Sequence, residues 1–201
     1  DKITCGTWRD IWLNEGFAEY LSGLVYEHLD GQNNFINWKA QKNQSITSQA
    51  GGNLYLTEQQ AADSDRIFSS RITYDKGSMV VHMLRYVLGD TAFYQGVRNY
   101  LADPNLAYAT AVTPQLKAHL ETASGVNLTE FFNDWVYGQG YPTYSAAVQT
   151  LGGNQVKVVL SQTTSHSSVS FFEMPVKVKF VGPNNQEETV VLNNTQNNQE
   201  F

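Results

Sequence analysis

One cysteine, Cys5, is all the thiol that the 201-residue sequence carries. A disulfide within the chain is therefore excluded, and so is a cysteine-rich zinc site. Charged side chains are scarce, at 16%, against the usual quarter; Asn, Gln, Ser and Thr supply polarity instead. The net charge is -6 and no long basic run occurs, so the footprint of a DNA- or RNA-binding protein is missing and no nucleic-acid partner is expected. No stretch of about 18 apolar residues exists, and no membrane span is expected. The opening DKITCGTW has no basic segment leading into an apolar one, so it does not read as a signal peptide. Low lysine content and abundant asparagine suit a secreted or periplasmic protein without fixing the compartment. Three segments starting at Asn43, Asn127 and Asn193 fit the glycosylation sequon, a pattern common by chance. The four histidines, His28, His82, His119 and His166, include no pair spaced i, i+4. A His-Glu-x-x-His helix is thus absent, and each histidine reads as a surface or packing residue.

What is present suffices for a core: 41% hydrophobic and 12% aromatic residues, in a length that allows one large domain or two small ones. Residues 10–29 carry Ile11, Trp12, Phe17, Tyr20, Leu21, Leu24 and Val25 at helical spacing, closed by Gly31. A second helix is expected over 33–47. Gly51-Gly52 breaks the pattern, and 51–72 reads as a long irregular connection, a kind that is often functional. Met79, Val80, Met83, Leu84, Val87 and Leu88 form one apolar stripe of a helix over 74–88. Gly89 ends it, and Asp90 is placed to cap a helix over 91–102 that Pro104 stops. Thr113-Pro114 reads as cap and first residue of a helix to Ala123, ended by Gly125. Asn127 and Glu130 have capping spacing for a helix over 128–137.

After Gly140-Tyr141-Pro142 the period changes. Val156-Lys157-Val158 and Val176 to Phe180 alternate apolar and polar, as half-buried strands do. Gly152-Gly153-Asn154 and Pro183-Asn184-Asn185 read as turns. The tail from Asn193 to Phe201 is polar and expected to fray. The fold class expected is an α+β multidomain fragment. A mostly helical portion over 1–143 precedes a small antiparallel, sandwich-like β-domain over 144–201.

The segment Trp12 to Tyr20 is unusual for a helix, because Glu15 sits among apolar neighbours. On the face that holds Trp12, a carboxylate costs several kcal/mol unless a partner neutralises it, and a divalent metal is one such partner. The alternative places Glu15 on the solvent face with Glu19 one turn below. Gly16 inside the helix costs up to about 1 kcal/mol against alanine, which suggests close packing there. In Thr73-Tyr74-Asp75-Lys76-Gly77-Ser78, Tyr74 stands at a helix start. Taken alone, it could simply pack there, with Asp75 and Lys76 in solvent.

Trp12-Leu13-Asn14-Glu15-Gly16-Phe17-Ala18 resembles the segment that follows the His-Glu-x-x-His helix in zinc aminopeptidases of the M1 (gluzincin) family. Gly6 to Asp10 is similar to the run that precedes it. Tyr74 to Gly77 resembles the family's Tyr-x-Lys-Gly motif. Softer similarity runs through Met83 to Leu101, and through Phe131 to Val136 with Gly140-Tyr141-Pro142. The resemblance covers about residues 4–144.

It implies that Glu15 is the third zinc ligand, completing two imidazoles to leave one position open for water. It implies that the Tyr74 hydroxyl donates to the oxyanion formed in peptide hydrolysis, an interaction worth about 3–4 kcal/mol. It also implies peptide substrates and a Zn²⁺ cofactor in the parent protein. The histidine helix, its general base and the amine-recognition strand Gly-x-Met-Glu-Asn are not in this sequence. The resemblance therefore implies a chain that begins just after the metal helix, lacks the N-terminal half of the same protein, holds zinc feebly and is inactive alone. Two other readings stay open: a peptide- or partner-binding module on a metallopeptidase-like scaffold, and a relative that hydrolyses non-peptide substrates.

Overall fold

A computed structural model describes residues 2–153 and 155–201. Trp12, Leu13, Gly16, Tyr20 and Gly23 all face inward along one helix, α1 (Trp12–Val25), which runs on as a wider π-helical turn, Tyr26–Asp30. Gly31 ends it at φ +88°, a conformation that side-chain-bearing residues avoid. Helix α2 (Gln32–Thr47) buries Phe35, Trp38 and Ile46. A short α3 (Ser64–Ile67) follows, capped by the Asp63 carboxylate, which accepts from the Asp65 and Arg66 amides. The segment read as an irregular connection is thus partly helical. It also ends sooner, because a π-helical stretch, Ser70–Lys76, leads directly into α4 (Gly77–Leu88). Tyr74 accordingly lies within a continuous helical path and not at a helix start.

Helix α5 (Asp90–Ala102) begins where expected, but Asp90 does not cap it. Its carboxylate turns back to Arg85, at 2.8 and 3.0 Å, since a charge-assisted pair outcompetes a neutral amide. Thr113 opens α6 (Thr113–Ser124), yet its hydroxyl donates to buried Asp10 at 2.7 Å and accepts from Trp12 Nε1 at 3.0 Å. The Val112 amide is taken by Gln115 Oε1 instead. Gly125 terminates α6 at φ +71°. Asn127 accepts from the Thr129 amide at the start of α7 (Thr129–Phe132). A second π-helical turn, Asn133–Tyr137, carries α7 onward. Trp12, Tyr20, Phe35, Leu84, Phe93, Leu116, Leu120 and Phe132 make the centre of one core. Two strands that hydrophobic periodicity did not announce, β1 (Thr4–Cys5) and β2 (Thr110–Ala111), pair in parallel and tie the first residues to the entry of α6.

From Pro142 on the chain is β. Strands β3 (Pro142–Gly152) and β4 (Gln155–Thr164) form an antiparallel hairpin; Asn154, in its expected turn, lies outside the described residues. Strands β5 (Met174–Val181) and β6 (Glu187–Asn194) form a second antiparallel pair around the expected Pro183 to Asn185 turn, where Asn184 and Asn185 adopt positive φ. The architecture is α+β with small antiparallel sheets. The tail does not fray. Strand β7 (Gln199–Glu200) pairs with β4, Asn197 brackets the Gln162 backbone through its amide group, and Phe201 exchanges two backbone hydrogen bonds with Val158. Asparagine and glutamine side chains here replace the apolar anchoring whose absence suggested disorder. No described helix is long and apolar enough to cross a membrane.

Helix α1 crosses the start of α4 through glycines. A Cβ on Gly77 would lie 2.9 Å from Gly16 Cα, a backbone atom that cannot rotate away. Gly77→Ala is expected to lower stability by roughly 1–3 kcal/mol, despite the gain of up to about 1 kcal/mol in helix propensity. The denaturant midpoint reads this directly; an unchanged or higher midpoint would show slack at the crossing.

Asp134 is buried and accepts the Glu173 amide at 3.1 Å, tying α7 and its π-helical extension to the approach to β5. Burial, aided by the charges of Glu130 and Glu173, pushes its pKa up to about 6. A carboxyl raised in the folded state stabilises most below its ordinary pKa, and that contribution is lost as pH rises through about 6. Asp134→Asn keeps an acceptor but cannot ionise. It is expected to stabilise the fold near pH 7.5 by up to roughly 2–3 kcal/mol, with the gain vanishing toward pH 4. Thermal unfolding at both pH values checks it, and a variant no more stable than the parent at pH 7.5 refutes it.

Candidate active site

The first turn of α1 is held by the strand before it. Asn14 Oδ1 accepts the Cys5 amide at 2.8 Å, and its Nδ2 donates to Thr4 Oγ1 at 3.1 Å. Glu15, the next residue, is half-buried and lines a cavity of about 510 Å³ together with Cys5, Trp8, Asn14 and Phe68. Trp8 and Phe68 meet edge to face at the rim, ring centroids 6.1 Å apart. Burial raises the pKa of the Cys5 thiol, with the nearby Asp10 and Glu15 charges adding to it, so its thiolate is disfavoured.

The Gly16–Gly77 crossing brings the two segments singled out in the sequence together. Tyr74 is half-buried beside Glu15. Burial first, then the neighbouring Glu15 carboxylate, hold the phenol above its ordinary pKa. The cavity wall includes Glu15 but not Tyr74. Among the described residues no cation pairs with Glu15. Glu19, one turn on, differs: Lys42 Nζ is 2.7 Å from its carboxylate and 2.8 Å from that of Asp75.

Asp75 and Lys76 are not in solvent. Asp75 is buried and also accepts Ser45 Oγ at 2.5 Å. Burial alone would lower the Lys42 pKa, but its hydrogen bonds to Asp75 and Glu19 outweigh it, and the pKa is raised. Lys76 is buried, has no carboxylate at ion-pair distance among the described residues, and donates to the Gly52 carbonyl at 2.7 Å. Burial, then the charges of Arg71 and Arg66, bring its pKa down to about 7. These contacts grip the backbone immediately after Tyr74. Sequence reasoning missed Lys42, Ser45 and Glu19 as partners; the i, i+3 spacing of Lys42 and Ser45 on α2 was the available signal.

The histidines do not approach this cavity's wall. His82 packs against Tyr20 and Phe35, His119 contacts Asp103 at 3.1 Å, and His166 contacts Ser168. A catalytic zinc takes three protein ligands. Among the described residues no cluster of three or more His, Cys, Asp or Glu side chains could hold a metal. A carboxylate such as Glu15 is one type of zinc ligand, but the described residues alone do not complete a zinc site.

The model of the peptidase family M1 domain matches residues 1–135. Aminopeptidase M1-B of Oryza sativa subsp. japonica is 32% identical over 170 residues, covering 83% of this chain and 19% of its own length. Aminopeptidase N of Lactobacillus delbrueckii subsp. lactis is 29% identical over 156 residues, 74% of this chain and 18% of its own. The chain thus spans about a fifth of these relatives. The solved structure of Legionella pneumophila aminopeptidase A, in complex with aspartic acid, covers all of this chain with 22% of its own, at TM-score 0.73 and 13% identity, a likeness of fold that extends through the β region. A mutant M1 zinc metallopeptidase of Deinococcus radiodurans, bound to a Tyr-Ser-Ala substrate, covers 68% of the chain with 29% of its own, at TM-score 0.57 and 26% identity. With the matched family domain spanning both the Asn14–Gly16 and the Tyr74–Gly77 segments, the chain belongs to peptidase family M1.

Proposed function

We propose that the protein containing these residues is a zinc-dependent aminopeptidase that removes N-terminal residues from peptides. In this reading Glu15 is the carboxylate offered to the metal and Tyr74 the donor to the oxyanion. Residues 1–143 are the later part of the catalytic domain and 144–201 a separate β-domain. The observation that carries the reading is the nearness of Glu15 and Tyr74 across the Gly16–Gly77 crossing, beside a cavity that Glu15 lines. A bound zinc ion supplies Lewis acidity and activated water. What these residues supply is narrower. A phenol held above its ordinary pKa keeps its proton at neutral pH, so Tyr74 remains a donor to negative charge that develops nearby. The backbone immediately after it is held by buried Asp75 and Lys76, which helps preorganise the donor.

The 201-residue chain alone is expected to bind Zn²⁺ weakly and to release no amino acid from a chromogenic aminoacyl anilide, since a single carboxylate does not make a tetrahedral site. Calorimetry and an absorbance assay check both; tight zinc binding abolished by Glu15→Ala, or robust hydrolysis, overturns the expectation.

In a longer protein carrying the family's remaining ligands, Glu15→Ala is expected to lower bound zinc and activity together. Tyr74→Phe is expected to leave zinc in place and lower kcat by about 10²–10³-fold, the cost of one oxyanion donor. Metal analysis with steady-state kinetics separates the two. Full activity in Tyr74→Phe, or full zinc content in Glu15→Ala, sinks the assignment of that residue.

A further inference from the structure

A second cavity, of about 440 Å³, opens where α2, α4 and β5 meet, and it shares no residue with the wall around Glu15. Its wall holds three cations, Lys39, Arg85 and Lys177, and two acids, Glu27 and Asp90. Both acids are committed to one cation: Arg85 lies 2.7 Å from Glu27 and 2.8 Å from Asp90. Among the described residues, neither Lys39 nor Lys177 has a carboxylate at ion-pair distance. Each amine sits over an aromatic face instead, Lys39 Nζ 4.4 Å from the centre of the Phe35 ring and Lys177 Nζ 5.4 Å from that of Tyr86. Two lysines from different elements therefore border one cavity with their charges uncompensated, in a chain whose net charge is -6.

The surroundings respond to that excess. Burial lowers the Lys39 pKa; Arg85 and Lys177 lower it further, against an opposing Glu27. Burial, with Lys39 and Arg85, brings His82 in the same wall down to about 4, so it is neutral at pH 7. Two buried polar atoms of this wall, His82 Nδ1 and Tyr86 Oη, lack hydrogen-bond partners, a condition that native structures rarely tolerate unexplained.

We propose that this cavity binds a small organic anion, its carboxylate or phosphate group received between Lys39 and Lys177 and its apolar body laid against the half-buried Met83 and Tyr86. The size fits: the volume lies in the range of small-molecule sites and far exceeds an inorganic anion. Charge-assisted hydrogen bonds from two ammonium groups are the strong kind. The aromatic faces beneath the amines keep them in place without neutralising them.

The test is a titration of the 201-residue chain at low salt, followed by NMR, with phenyl phosphate, with benzoate and with neutral benzyl alcohol. Saturable binding of at least one anion is expected, at least tenfold tighter than benzyl alcohol, and which anion binds decides between phosphate and carboxylate. Lys39→Gln and Lys177→Gln should each weaken it at least fivefold, whereas Lys39→Arg and Lys177→Arg retain it. Should the Gln variants fail to melt cooperatively, salt decides: binding between two lysines falls several-fold as ionic strength rises about tenfold. Failure of both anions to saturate on a folded chain overturns the site. So does binding that matches benzyl alcohol, ignores salt or survives both Gln substitutions.

Discussion

Two glycines set the distance between the helices that matter most in this protein. A Cβ on either Gly16 or Gly77 would come within 2.9 Å of the other residue's backbone, closer than real side chains approach. Any other residue at either position forces the helices apart. The sequence accepts the helix-propensity cost of two glycines and gains a crossing at which backbone meets backbone. Glu15 immediately precedes one glycine, and Tyr74 lies three residues before the other. Their proximity is thus a consequence of the crossing and not an independent feature of either helix.

That crossing needs support on its α2 side, and buried charge supplies it. Lys42 on α2 holds Glu19 of α1 and Asp75 of the π-helical stretch at once, so three elements meet at one ammonium. A partly buried ion pair of this kind adds little stability over apolar packing, but removing one partner leaves the other charged and poorly compensated. Its value lies in register: a wider helical turn can slide, and Asp75 anchored to Lys42 and Ser45, with Lys76 anchored to the Gly52 carbonyl, leaves this one little freedom. Wide turns of this type recur at functional sites, and here one carries Tyr74.

Much of this was legible in the sequence because periodicity and punctuation agree. Helices α1, α2, α5 and α6 fall within a few residues of their apolar repeats, and Gly31 and Gly125 end segments at positive φ as their placement suggested. The alternation from Val176 to Phe180 marks β5, with its valines and phenylalanine half-buried and its lysines exposed. Two kinds of feature were hidden. Long-range polar pairing leaves no period: Asp10 with Thr113, Lys42 with Asp75 and Asn197 with Gln162 join residues about 30 to 100 positions apart. The π-helical turns were hidden too, because an apolar stripe reads the same whether one residue is added to a turn or not. For the site, Glu15 and Tyr74 could be named from motif resemblance, but their adjacency depends on the glycine crossing, of which only half, Gly16, invited suspicion.

The contrast between Glu15 and Glu19 bears on what the site is for. The two carboxylates lie one turn apart on α1, both half-buried. Glu19 is neutralised by a lysine; Glu15 has a phenol and a cavity, and no cation among the described residues. A protein selected for stability alone would pair both or replace the first with an apolar residue, since desolvating an uncompensated acid costs free energy. Local rules are broken at functional positions and obeyed beside them. An acid without a cation among the described residues, at the edge of a cavity and one turn from an acid that has one, is the feature on which the proposed metal-ligand role of Glu15 rests.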